Sequence, residues 1–336
     1  QRMTATSAPL AVIGAGSWGT ALAIHLARGG HPVRLWGHRS ETVQRLAEER
    51  ENRAYLPGVS FPDGLEVTAS LKEAVGDTIG VLVAVPSHAF SRTVADFHPY
   101  LPAGSPLAWA TKGLDPDSRR LLHEEAAESL GEVSMAVISG PTFAAEVGAG
   151  RPTAVTVAAN DPRLGAAWVE RLHHDSFRAY TSDDLIGVEL GGAVKNILAI
   201  ATGIADGLGL GANTRAALIT RGLAEATRLG LALGGRAETF TGLAGMGDLV
   251  LTCTDDQSRN RRFGLALGRG GSADEARSAI GQVVEGEPTT RAVLARAHEA
   301  GVEMPITEQV YRVLFEGVPP REAVEQLLAR EPKPES

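Results

Sequence analysis

The chain has 336 residues, 43% of them hydrophobic, with 32 Lys and Arg against 40 Asp and Glu for a formal net charge of −8. That length favours two domains over one, and the acidic balance argues against a broad basic footprint for nucleic acid or anionic lipid. No run reaches the roughly 18 consecutive apolar residues of a membrane helix, and the single cysteine, Cys253, forbids an intrachain disulfide or a multi-cysteine metal site and fits a reducing compartment.

Gln1 and Arg2 ahead of Met3 read as a cloning remnant, and no secretory leader is expected after them. From residue 10 to about 180, short apolar runs alternate with helical periodicity, the pattern of βα units and a largely parallel sheet. Strands are expected over 10–13, 33–36, 80–85, 106–110, 134–138 and 154–157. From residue 183 the strand signal stops, and helices are expected over 183–211, 214–233, 258–268, 288–300, 307–316 and 320–330. The division that follows is an α/β domain over 8–182, an all-α domain over 183–330 and a disordered polar tail over 331–336. Glycine supplies 39 of the 336 residues, well above a usual share of about 7%, so some glycines must do what no other residue can.

The first such place is Gly14-Ala-Gly16-Ser-Trp-Gly19, a G-x-G-x-x-G that follows a strand and opens an amphipathic stretch. Gly14 permits a tight turn, Gly16 lets a pyrophosphate approach the backbone, and Gly19 lets the helix pack on the strand with its N–H groups toward the phosphates. The N-terminal half therefore reads as a Rossmann-like NAD(P)-binding domain. At the end of the second strand, where an acid would hold a ribose 2′-hydroxyl, the sequence offers His38 and Arg39, the latter 20 residues beyond Gly19. This favours use of NADPH beside NADH; the alternative is a solvated loop with Ser40 capping the next helix.

Lys195 is the sole charge between Leu190 and Ala205, with Gly191, Gly192, Leu198 and Ala199 at helical neighbour positions. A lysine desolvated on such a face suits proton transfer near neutral pH, unless it snorkels to the surface; the glycines leave room for a ligand. Asn196 adds an amide beside it. Lys112 follows a strand, where open α/β sheets bind ligands, or else is an exposed loop lysine. Gly140 and Thr142 repeat the strand-to-helix logic, although by themselves they favour an ordinary turn and N-cap, and Asp248 is able to hold Lys195 or a substrate hydroxyl. Ser258, Arg259, Asn260, Arg261 and Arg262 open a helix that suits a phosphate, with a basic solvated face as the alternative. Cys253, with no evident base beside it, reads as a buried small residue.

Residues 14–19, 110–114, 138–147, 191–207, 242–254 and 258–264 together resemble the bacterial type of NAD(P)-dependent glycerol-3-phosphate dehydrogenase, over roughly 11–328. The resemblance implies reversible reduction of dihydroxyacetone phosphate to sn-glycerol 3-phosphate, feeding glycerophospholipid biosynthesis in the cytoplasm, with Lys195 as general acid/base. It implies Lys112, Gly140, Thr142, Lys195, Asp248, Ser258, Arg259 and Asn260 as substrate residues. Around the cofactor it implies Gly14, Gly16, Ser17, Trp18, Gly19, His38, Arg39, Tyr55, Lys112, Ala144, Arg259, Val283 and Glu285. Of these, Glu285 carries no signal of its own. Asp255 and Asp256 depart slightly from the family's polar or small residues. A small phosphorylated substrate is the expected partner, with no metal, nucleic acid or membrane insertion; a homodimer is compatible with the chain. The rivals are a β-hydroxyacid dehydrogenase, disfavoured by the Ser258 to Arg262 anion site, and a non-catalytic NADPH-sensing regulator, which has no use for a solitary buried lysine.

Overall fold

The computed structural model describes residues 8–335; Gln1 and Arg2, expected above to be a cloning remnant, and the last tail residue, Ser336, lie outside the described residues. Contacts divide the chain into two compact units. The first runs to Lys112 and resumes over Leu122–Val188, and the second comprises Gly113–Leu121 and everything from Glu189 onward. Sequence position alone suggested one cut after residue 182. The excursion Gly113–Leu121 was hidden because it is held by a local bridge, Leu114 to Leu121, and by the Asp115 carboxylate, which accepts the N–H groups of Asp117 and Ser118 at 3.0 and 2.9 Å.

In the first unit, strands β1 (Leu10–Ile13), β2 (Val33–Trp36), β5 (Leu65–Thr68), β6 (Gly80–Val83), β7 (Leu107–Trp109), β8 (Met135–Ser139), β9 (Thr153–Ala159) and β10 (Phe177–Ser182) form one sheet in the order β10-β9-β8-β7-β6-β1-β2-β5. All neighbours are parallel except β8 and β9. A separate antiparallel hairpin pairs β3 (Glu51–Asn52) with β4 (Leu56–Ser60). β1 is apolar throughout and fully buried, as a central parallel strand must be. Edge strand β10 alternates buried Phe177 and Ala179 with exposed Arg178 and Tyr180, so its apolar density is too low to stand out in the sequence. The strand order reverses at β1, between β2 and β6, which makes the carboxyl end of β1 the crevice where such sheets receive ligands.

The second unit is helical, and its central element is the helix Leu185–Gly207, which starts in the first unit. That helix is long and apolar enough to cross a membrane, yet it is mostly buried within the protein. It crosses the helix Arg259–Gly268 through glycines on both sides. A Cβ on Gly203 would stand 2.3 Å from the Arg261 carbonyl oxygen, and one on Gly264 would stand 2.2 Å from that of Ile200. Gly207 and Gly268 repeat the contact one turn on. Backbone lies on backbone, and four of the glycines serve that contact. The crossing fixes the start of the second helix against the first near Lys195 and Asn196. Of the tail, Lys333 pairs with Glu303 at 3.0 Å and the Glu335 carbonyl accepts from Arg221 at 3.0 Å.

Candidate active site

In the first unit the glycine loop leaves β1 and enters the helix Ser17–Arg28. Gly14 has φ +126°, and a Cβ there would meet the Ala84 carbonyl at 2.8 Å. Gly19 lies so close behind it that a Cβ would stand 1.9 Å from the Gly14 oxygen. At Gly16 a Cβ would meet nothing within 4 Å. The loop is thus locked at both ends and open in the middle, a cradle that a side chain would fill. Ser17 and Trp18 open the helix, and the Trp18 indole Nε1 is buried without a protein acceptor. This fits a dinucleotide whose pyrophosphate lies over Gly16.

His38 and Arg39 are both exposed after β2, with Arg39 Nε 3.2 Å from the His38 ring. Arg39 itself occupies the cap position of the helix Ser40–Glu49, whose end has no side-chain cap, so Ser40 is not the cap. Tyr55 is 41% exposed on the β3–β4 turn. Beyond β7, Lys112 donates to the Gly140 carbonyl at 3.2 Å, and the Thr142 hydroxyl donates to the same oxygen at 3.2 Å. Ala144 is the first residue of the short helix that follows. Lys112, Gly140 and Thr142, distant in sequence, form one cluster beyond the carboxyl ends of β7 and β8.

In the second unit, Lys195 is 8% exposed and its Nζ lies 2.6 Å from Oδ1 of the fully buried Asp248. Burial disfavours the ammonium while the carboxylate favours it; the sequence alone anticipated the first influence and left the second open. The Thr252 hydroxyl lies 2.6 Å from the Asp248 backbone oxygen and 3.2 Å from Oδ1, a contact that helical spacing alone could have suggested. Asp248 starts the helix Asp248–Thr254 directly after a wide turn over Leu243–Gly247, where the Gly247 N–H reaches back five residues to Gly242 at 3.1 Å. Such turns recur at functional sites. The turn packs on Gly191, where a Cβ would meet the Ala244 oxygen at 2.5 Å. Gly191 therefore admits protein backbone, where the sequence suggested room for a ligand.

The Asn260 amide donates to Asn196 Oδ1 at 3.1 Å and accepts from the Gly286 N–H at 2.8 Å. It thereby gathers Asn196, the start of the helix Arg259–Gly268 and the segment holding Val283 and Glu285. That segment reads as plain loop in the sequence. Ser258 caps the helix, its Oγ accepting the Arg261 N–H at 3.2 Å, and Arg259 reaches Gln282 at 3.2 Å. Arg261 faces inward, pairing with Asp206 at 2.6 Å and Asp256 at 3.0 Å, so it is a structural clamp and neither an anion ligand nor a solvated charge. Asp256 thus has a role. Burial pushes the Cys253 thiol up to about 12, which makes it inert. Among the described residues, no group of three or more His, Cys, Asp or Glu is gathered as for a metal ion.

A glycine loop open at Gly16 at the reversal of a parallel sheet, followed by a helical unit that buries a lysine–aspartate pair, is the arrangement of a dinucleotide-dependent oxidoreductase. The particular family is shown by comparison. The family model described as NAD-dependent glycerol-3-phosphate dehydrogenase N-terminus matches residues 9–165, and the corresponding C-terminus model matches 184–325. The chain is 56% identical over 334 residues to a glycerol-3-phosphate dehydrogenase [NAD(P)+] of Pseudoalteromonas translucida, covering 99% of both. It is 58% identical over 328 residues to that of Methylococcus capsulatus, covering 97% of this chain and 98% of the relative. The crystal structure of glycerol-3-phosphate dehydrogenase from Coxiella burnetii superposes with a TM-score of 0.94 at 54% identity, covering 96% of this chain and 99% of that one. The chain belongs to the NAD-dependent glycerol-3-phosphate dehydrogenase family, and it is an NAD(P)-using oxidoreductase.

Proposed function

We propose that the chain catalyses the reversible reduction of dihydroxyacetone phosphate to sn-glycerol 3-phosphate, with Lys195 as the general acid in reduction and the general base in oxidation. The observation that carries the reading is the buried Lys195–Asp248 pair at 2.6 Å beside the Asn196–Asn260 amide bridge. NAD(P)H, when bound, supplies the hydride that reaches the carbonyl carbon. Lys195 gives a proton from Nζ to the carbonyl oxygen as negative charge develops there, which leaves an alcohol and a neutral amine; solvent then returns the proton. Asp248 holds Nζ in place and balances its charge in the waiting state. Asn196, locked by Asn260, keeps an amide fixed beside the reacting groups.

The substrate phosphate is assigned to the helix start with Ser258, Arg259 and Asn260, where backbone dipole and guanidinium add. Lys112, Gly140 and Thr142 are assigned to substrate from the first unit by the family resemblance. The cofactor is assigned to Gly14, Gly16, Ser17, Trp18 and Gly19, to His38, Arg39 and Tyr55, and to Lys112, Ala144, Arg259, Val283 and Glu285. We place the reaction in the cytoplasm, at the supply of the glycerophospholipid backbone, with a homodimer as the proposed assembly. The test is an absorbance assay at the nicotinamide band with dihydroxyacetone phosphate and each cofactor in turn. Oxidation of NADPH or NADH that depends on this substrate is expected; none with either cofactor near neutral pH overturns the reading.

A further inference from the structure

One side chain of the β3–β4 hairpin reaches the glycine loop, and neither the loop motif nor the family resemblance singles it out. Asn52 is 1% exposed. Its Nδ2 donates to the Ala15 carbonyl at 3.0 Å and to the Thr20 hydroxyl at 2.9 Å, while its Oδ1 accepts the Tyr55 N–H at 3.3 Å. Both ends of the amide are therefore engaged, and this network alone fixes which end is nitrogen. The segments it joins are the opening of the helix Ser17–Arg28 and the turn that carries Tyr55.

We infer that Asn52 is a positioning residue for the dinucleotide, holding the Ala15–Gly16 peptide so that the Gly16 N–H is presented to the pyrophosphate and tying the Tyr55 turn to the same loop. In a planar trans peptide the carbonyl and the following N–H point in opposite directions. A carbonyl held by Asn52 therefore sends the Gly16 N–H away from the hairpin, and the Cβ direction of Gly16 opens on space with no atom within 4 Å. Gly16 is the helix cap residue and no side chain caps that end, so the loop has no anchor of this kind in its own sequence. Asn52 supplies the anchor from 32 positions beyond Thr20.

The chemistry requires an amide. An aspartate would set a carboxylate against the Ala15 carbonyl and a negative charge behind a site for an anion; a serine is too short to span both partners.

This inference rests on the glycine loop being the dinucleotide site, and the experiment separates the two. NADPH affinity is measured by titration on the full chain for the native protein, N52D, N52S and G16V, with steady-state kinetics and melting temperature alongside. We expect N52D to raise the NADPH Kd about tenfold or more and N52S about fivefold. The KM for dihydroxyacetone phosphate and kcat at saturating NADPH should stay within about threefold. G16V, which fills the open cradle, should abolish measurable binding. Should G16V bind NADPH like the native protein, the loop is not the cofactor site and the underlying reading falls. If G16V loses binding while N52D and N52S stay within twofold of native, the positioning role is overturned. It is equally overturned if both KM values, kcat and melting temperature degrade together in the Asn52 variants. N52S decides the matter should N52D fail to fold.

Discussion

Lys195 and Thr252 converge on one oxygen of Asp248, the ammonium at 2.6 Å and the hydroxyl at 3.2 Å. The hydroxyl has one proton, and its shorter contact is the Asp248 backbone oxygen at 2.6 Å, so the bond to the carboxylate is a shared and weaker one. T252V should therefore lower kcat by about three- to tenfold, the range for one ordinary hydrogen bond and short of a full bond to a charged group, and T252S should restore it. Steady-state assays with saturating cofactor check this.

The glycine crossing predicts a steep cost for one methyl group. A Cβ on Gly264 would lie 2.2 Å from the Ile200 carbonyl oxygen, a backbone atom that cannot swing aside. G264A should destabilise the chain by about 3 kcal/mol or more, as overpacking against backbone does. Urea denaturation reads the loss, and kcat should fall too, because the same crossing holds Ser258, Arg259 and Asn260.

Cofactor choice should follow Arg39, which is exposed beyond β2 and, among the described residues, contacts the His38 ring and pairs with no acid. R39A should cut kcat/KM about tenfold or more with NADPH, and about threefold or less with NADH, since only a 2′-phosphate gains from the guanidinium. Paired assays with the two cofactors decide it.

Two buried groups give the units opposite pH responses. Burial pushes the Glu225 carboxyl up to about 7, although it accepts the Ile306 N–H at 2.6 Å and the Thr307 N–H at 3.2 Å. Its unfolded value is 4.5, so the folded state binds the extra proton between. The stability it contributes is complete below 4.5 and is lost as pH rises to about 7, up to about 3 kcal/mol. Burial drops His25 in the first unit from 6.5 to about 4. Its contribution is complete above 6.5 and is lost as pH falls to about 4. E225Q should abolish the loss in stability of the helical unit between about pH 5 and 7 while leaving the acid-side loss of the first unit in place. Denaturation at several pH values, followed by hydrogen exchange in each unit, tests both signs.

How much of this was legible in the sequence depends on whether a signal is local. β1 and β2 are placed to the residue, because each is a short, mostly apolar run between a proline and a glycine. The roles proposed for Gly14, Gly16 and Gly19 come from a six-residue pattern, and Lys195 stands out as the one charge between Leu190 and Ala205. What was missed depends on partners far along the chain. Asn52 is an unremarkable polar residue until Ala15 and Thr20 are beside it, and Glu225 reads as a surface acid until Ile306 and Thr307 arrive. Gly203 and Gly264 look like weak points in their helices until the two helices cross. Arg261, one of three arginines in a basic run, gives no sign in the sequence that Asp206 turns it inward.

The central claim is that Lys195 moves the proton, and K195A tests it most directly. NADPH affinity measured by titration should stay within about threefold of native, while kcat for dihydroxyacetone phosphate reduction should fall about a thousandfold, the middle of the range for a lost general acid. Native turnover in K195A with NADPH still bound would contradict it.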